Sequence, residues 1–309
     1  MSTLNTVRQV DMCHYSRKLE SSSSRDSAVA RASGAEVIDY YEAKTAAIIQ
    51  KYGPGPRVHF HVGYFDPPSS PEPAMGSSEL QSCLVAAQER LIAVAVDRWA
   101  ELTELGPRVL DAGCGLGGAS LWWAEKLGCQ VTALTCVAEH ARLISQWAQH
   151  SELAAVRAVV DDVHDFVDPH PYDIAMAWEA ACYFDRARWF TGLRKLLKPS
   201  GWVLIEDVFV DDSSWKSDFD KYWRTDVGSV RDYELAASGA GFQLVDNVDL
   251  TFPTKAFWEW GAAWTERQEA VSGSDAARLR ASIAAHRRMR LAWECGGLQI
   301  RLLAFERIG

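Results

Sequence analysis

Glu179 is a carboxylate in an apolar stretch, following Ile174-Ala175-Met176-Ala177-Trp178 and preceding Ala180-Ala181-Cys182-Tyr183-Phe184. Burial among such neighbours disfavours the charged form, raises the pKa and makes a general base that works near neutral pH; the plainer reading is a capping or ion-paired glutamate. Asp161 and Asp162 close the β-like run Val156-Arg157-Ala158-Val159-Val160, where a carboxylate can accept from an amino group of a bound base, or simply cap a turn. His59 and His61 flank Phe60 in the alternating segment Arg57-Val58-His59-Phe60-His61-Val62 and share one face of a short strand-like piece. They suit a metal or a ligand hydrogen bond, but no third ligand of fitting spacing lies nearby, so a half-exposed strand face explains them equally well.

These groups need a scaffold, and the stretch Val109 to Gly118 supplies its centre. An apolar run ends at Asp111, passes through Gly113, Cys114, Gly115, Gly117 and Gly118, and enters the helical pattern Ala119-Ser120-Leu121-Trp122-Trp123-Ala124. Strand, tight turn and helix N-terminus together form a cradle for a nucleotide-type ligand, because glycine lets backbone N–H groups approach it. The spacing fits the dinucleotide pattern G-x-G-x-x-G and also the G-x-G-x-G of S-adenosylmethionine (SAM) enzymes. A dinucleotide site wants an acidic residue at the end of the second strand. Here Gln130-Val131-Thr132-Ala133-Leu134 runs into Thr135 and Cys136, with Glu139 and His140 only in the turn beyond, which weakens that alternative.

From Arg108 onward, apolar β-like runs alternate with helical patterns. Strands are expected over 108–112, 130–134, 155–160, 173–178, 201–208, 241–249 and 297–307, giving an α/β fold with a doubly wound, mostly parallel seven-stranded sheet. Three parts are expected: a flexible tail over 1–34, an N-terminal helical cap over 35–105, and the core over 106–309 with a helical insert at 251–297. Ligands of such sheets bind beyond the carboxyl ends of the strands, which brings Asp111, Thr135 to His140, Asp161-Asp162 and Trp178-Glu179 to one edge.

Composition narrows the partners. A chain of 309 residues with 48% hydrophobic content can bury a full core, and a net charge of −9 argues against a nucleic-acid partner. No apolar run reaches the roughly 18 residues of a membrane span, so a cytoplasmic protein with no membrane partner is expected. The seven cysteines include no C-x-x-C pair and read as reduced thiols. Thirteen tryptophans, crowded toward the last third, mostly fill a core but also suit a pocket for a bulky apolar or cationic ligand.

The succession Val109–Gly118, Ala133-Leu134-Thr135-Cys136-Val137-Ala138-Glu139-His140, Val159-Val160-Asp161-Asp162-Val163 and Tyr172 to Val208 resembles the class I SAM-dependent methyltransferase core. More narrowly it is similar to the sterol and tocopherol C-methyltransferase-like group, whose bacterial terpenoid members include geranyl diphosphate C-methyltransferase and the methyltransferase-cyclase of teleocidin biosynthesis. The resemblance implies SAM as cofactor and S-adenosylhomocysteine (SAH) as product. Asp111, Gly113, Cys114, Gly115 and Gly117 would hold the methionine part, Thr135, Cys136 and His140 the ribose, and Asp161, Asp162 and Val163 the adenine, with Trp178 beside them. Glu179 would stand by the methyl acceptor, with Tyr41 and His61 as further catalytic candidates. Tyr40, Tyr183, Trp223, Phe257 and Trp258 would contact a small apolar substrate, and Trp215, Trp260 and Trp264 would add aromatic faces. The activity implied is C-methylation of an alkene in a terpenoid or prenylated natural product, with proton loss or ring closure. Prenyl diphosphates, O- or N-methylation and a NAD-dependent oxidoreductase are the alternatives. No Lys/Arg cluster stands near the expected pocket mouth, Asp211-Asp212 is the remaining metal-binding thought, and no resident metal is expected. The N-terminal helix suggests a homo-oligomer.

Overall fold

The computed structural model describes residues 34–103, 107–269 and 276–309; the expected tail lies outside them except for Gly34. Before the sheet lie α1 (Gly34–Tyr52), α2 (Ser77–Arg98) and a single helical turn at Ala100–Thr103. The sheet contains β1 (Arg108–Ala112), β2 (Gln130–Thr135), β3 (Val156–Val160), β4 (Tyr172–Trp178), β5 (Leu197–Val210), β6 (Phe242–Asp249) and β7 (Leu298–Arg307). Its order is β3-β2-β1-β4-β5-β7-β6, and all neighbours are parallel except β7, which runs antiparallel to β5 and β6. The expected doubly wound, mostly parallel sheet is therefore found. The connecting helices are α3 (Gly118–Leu127), α4 (Ala138–His150), α5 (Arg186–Leu196), α6 (Lys216–Trp223) and α7 (Val230–Gly239), and the insert before β7 forms α8 (Ala256–Glu269) and α9 (Ala276–Glu294).

The central strands are buried on both faces, which is why they read as continuous apolar runs. In β4, Ile174, Met176 and Trp178 join the core under α2 and α8, whereas Ala175 and Ala177 join the opposite core with Trp189, Phe190 and Tyr233. The chain first winds outward through β2 and β3, then returns to place β4 on the other side of β1. That reversal opens a crevice at the carboxyl ends of β1 and β4, where the glycine loop and Glu179 lie.

Three readings change. Residues 57–62 form no strand: Val62 N–H donates to the Glu179 side chain, and just beyond the segment Tyr64 N–H donates to Ala87 O and Phe65 N–H to Pro253 O. Cys295 is disulfide-bonded, which corrects the reading of seven reduced thiols, while Cys83, Cys114, Cys129, Cys136 and Cys182 are free. Asp212 caps a short 3-10 turn by accepting from Ser214 N–H, and Asp211 N–H donates to Gly297 O; among the described residues no three His, Cys, Asp or Glu side chains gather as metal ligands. No described helix is long and apolar enough to cross a membrane.

Candidate active site

The loop after β1 needs glycine for two distinct reasons. Gly113, Gly115 and Gly117 have φ of +73°, +54° and +76°, the left-handed region that side chains resist. A Cβ on Gly113 would stand 2.9 Å from Ala180 Cβ, whereas one on Gly115 would meet no protein atom within 4 Å and would project into the cavity. The cavity extends from this loop across Thr135, Cys136 and His140 to Trp178 and Glu179, under a roof of Tyr41 and residues 58–61. A recess beside it adds Asp161, Asp162 and Val163 and shares Gly113, Thr135 and Cys136 with it. The expected cofactor residues therefore converge, except Gly117, which lines neither space and packs against Ile144.

Asp111 shows what kind of ligand fits. Its Oδ2 accepts from Ser120 Oγ at 2.5 Å, but Oδ1 is buried without a partner, and burial pushes its pKa to about 7. An ammonium group at Oδ1 would supply the missing donor and restore the charge, as the amino-acid end of SAM would. The open position over Gly115 admits backbone contact with the same ligand. Thr135, Cys136 and the Asp161–Val163 recess then stand where a nucleoside would extend.

The roof is tied down from α1. Thr45 Oγ1 donates to Tyr41 O at 2.8 Å and so accepts from His140 Nε2, also at 2.8 Å. His140 is held neutral by burial, its pKa lowered to about 4. Tyr41 OH donates to Tyr183 OH and Tyr183 OH to Trp223 O, each at 2.9 Å, a chain that fixes both phenols and leaves them neutral. Burial raises both phenol pKa values, so Tyr41 serves as a positioned hydroxyl and not as a standing base.

A second, smaller cavity shares Tyr41, Phe60, His61, Glu179 and Tyr183 with the first and continues between Tyr52, Phe219, Trp223, Phe257 and Trp258 to His286. Glu179 thus stands in the wall common to both. Its φ is +41°, its N–H donates to Glu206 O at 2.7 Å and its Oε1 accepts from Val62 N–H at 2.6 Å. A non-glycine residue in this backbone region stores strain, and here it turns the carboxyl off the strand into the crevice. Burial, then the neighbouring Asp207 charge, raises its pKa. His61 Nδ1 donates to Val62 O at 2.7 Å and its Nε2 lies 3.3 Å from His59 Nδ1; burial lowers its pKa to about 3, so this histidine is neutral.

Some aromatic expectations are redirected. Trp258, Phe257 and Trp223 line the second cavity, but Trp260 stacks on Phe65 and donates to Ser69 O, Trp264 covers Lys51, and Trp215 packs on Arg288. Tyr40 lies in a separate outer recess with Tyr222, Lys221, Arg224 and Arg288, and Lys44 hydrogen-bonds to its hydroxyl. Basic side chains thus gather in this outer recess, which shares no lining residue with either cavity. Sequence reasoning missed Tyr52, Phe60, Phe219, Asp207 and His286. Phe60 sits between the two histidines already singled out, and His286 interrupts the apolar stripe Leu279, Ile283, Met289, Trp293 of α9.

Known proteins resemble this chain in sequence and in fold. Residues 109–201 match the family described as "Methyltransferase domain". The chain is 25% identical over 222 residues to glycine/sarcosine/dimethylglycine N-methyltransferase of Actinopolyspora halophila, covering 69% of this chain but 36% of that protein. It is 28% identical over 216 residues to geranyl diphosphate 2-C-methyltransferase of Streptomyces ambofaciens, covering 65% and 72% respectively. A solved geranyl diphosphate methyltransferase in complex with GPP and sinefungin superposes with a TM-score of 0.71 at 21% identity, covering 89% of this chain and 99% of that one.

Proposed function

This chain carries a SAM-dependent methyltransferase domain, and from that premise we propose that it methylates an alkene carbon of a terpenoid or prenylated small molecule. The observation that carries the proposal is the position of Glu179, a carboxyl in the wall shared by the cofactor cavity and an aromatic-lined acceptor cavity. When bound, SAM supplies an electrophilic methyl group on a sulfonium sulfur. Asp111 and the glycine loop would hold the donor, and Thr45, His140 and Tyr41 would keep α1 closed over it against water. An acceptor alkene held between Phe60, Trp223, Phe257 and Trp258 presents its π bond to the shared wall. Methylation of an alkene leaves a carbocation on the adjacent carbon, which aromatic faces and a carboxylate stabilise. Glu179 then takes a proton from a neighbouring carbon, and the C–H electron pair restores a double bond, directly or after ring closure. The test is incubation with methyl-labelled SAM and a panel of prenylated indoles and prenyl diphosphates; label that never reaches carbon sinks the proposal.

A prenyl diphosphate is the second reading, because Lys221, Arg224 and Arg288 line the outer recess, with Asp218 as one opposing charge, and Lys44 lies between Tyr40 of that recess and Trp223 of the acceptor cavity. Arg224 helps lower the Lys44 pKa to about 8, second to burial, and an anion seated there would relieve that crowding. Faster turnover of a prenyl diphosphate than of its alcohol would select this reading.

A further inference from the structure

The acceptor-side wall holds more carboxyl groups than it can keep ionised. Besides Glu179, β5 contributes Glu206 and Asp207, both fully buried. Burial raises the Asp207 pKa to about 6, but it accepts from Cys182 N–H at 2.8 Å and from Val208 N–H at 2.7 Å and has Arg186 among its neighbours, so of the three it is best provided to carry charge. Glu206 stands opposite Trp178 in the sheet and neither of its oxygens has a partner, the environment of a neutral acid. Glu179 lies between these cases, with one N–H donor from Val62.

The other groups facing it add no positive charge. His61 on the roof and His286 on α9 are neutral, each with its pKa lowered to about 3. Tyr41 and Tyr52 on α1, with Cys182 and Tyr183 after β4, are buried and protonated. Two basic groups stand behind this wall, Arg186 beside Asp207 and Lys51 on α1. Lys51 stands behind His286, whose Nε2 accepts from it at 3.0 Å. A carboxyl so placed holds its proton until a cation arrives.

We propose that Glu179 senses the charge of the cofactor, protonated in the empty site, deprotonated when the cationic methyl donor binds, and free to take a proton from the acceptor once that charge has been spent. The inference rests on the cofactor and not on the acceptor, so an oxygen- or nitrogen-methylating enzyme would show it equally. Asp111 also gains charge when an ammonium binds, but SAM and SAH carry the same amino-acid end, and only the sulfonium differs between them.

The experiment is titration calorimetry of the full chain with SAM and, separately, with SAH, in buffers of different ionisation enthalpy. SAM is expected to release more protons than SAH, by up to about one per site. SAM affinity is expected to rise with pH by up to about tenfold per unit relative to SAH until the carboxyl is fully ionised. Glu179→Gln should remove the difference, and Asp207→Asn should shrink it by easing Glu179 ionisation beforehand. Equal proton release by the two ligands in the unmodified protein overturns the inference, as does a difference that survives in a folded Glu179→Gln variant. Label transfer to carbon is measured independently, so either idea can fail alone.

Discussion

The two cavities are built in opposite ways. The cofactor cavity grows from a few βα turns, chiefly 111–118 after β1, 135–140 after β2 and 178–184 after β4, each positioned by the strand before it. The acceptor cavity takes Tyr52 from α1, Phe60 and His61 from an irregular segment, Phe219 and Trp223 from α6, Phe257 and Trp258 from α8 and His286 from α9. A ligand common to many reactions can be held by backbone and short turns. A particular acceptor must be shaped by side chains, and those come from the elements added around the sheet.

Substitutions can separate the halves. The largest effect belongs to Glu179→Gln, which should lower turnover by about 100-fold or more while SAH affinity, measured by calorimetry, changes little. Unimpaired turnover would remove the general-base role. Next, Gly113→Ala should weaken SAH binding at least tenfold and lower thermal stability, since its Cβ meets Ala180 and Phe184. Gly115→Ala should cost only about 1 kcal/mol of backbone strain while still impeding the ligand. Equal melting temperatures for the two variants would contradict the distinction. In the other half, Trp223→Leu should raise the acceptor KM several-fold with SAH affinity intact. A matching loss of both would mean that the cavities are not separable.

The smallest expected effect concerns the joint between α1 and the insert. Lys51 is buried, donates to Gly261 O, Thr265 Oγ1 and His286 Nε2, and has its pKa lowered from 10.5 to about 7 by burial. Between those values the unfolded chain binds more protons than the folded one, so this group makes stability rise with pH, by at most about 1.4 kcal/mol per unit. Comparing chemical denaturation of the unmodified chain and Lys51→Met from about pH 7 to 9 should show that slope only in the former. Parallel curves would mean that Lys51 keeps its charge in the fold.

Legibility in the sequence followed the same division. The seven strands, the order of helices and the residues of the glycine loop were readable because a parallel strand and its turn are local patterns. The rule that found Glu179, a carboxylate inside an apolar run, applies equally to Glu206 and Asp207 in Leu204-Ile205-Glu206-Asp207-Val208-Phe209, and would have found them too. The strand expected at 57–62 was misread because alternation describes only side-chain direction, while the Val62 N–H there goes to the Glu179 side chain. Tyr40 and Tyr41 are adjacent in sequence, yet only Tyr41 reaches the cavity, because successive residues of a helix point about 100° apart.

By itself, then, the sequence determined the doubly wound sheet, the cofactor loop and a carboxyl at the end of β4, since each depends on contiguous residues and fixed backbone periods. Tertiary structure decided which tryptophans face the acceptor, where the basic recess lies and which buried carboxyls crowd around Glu179. Periodicity tells a side chain that it will be buried; only packing between distant elements decides whether it meets a neighbour or a cavity, and therefore what charge it can carry.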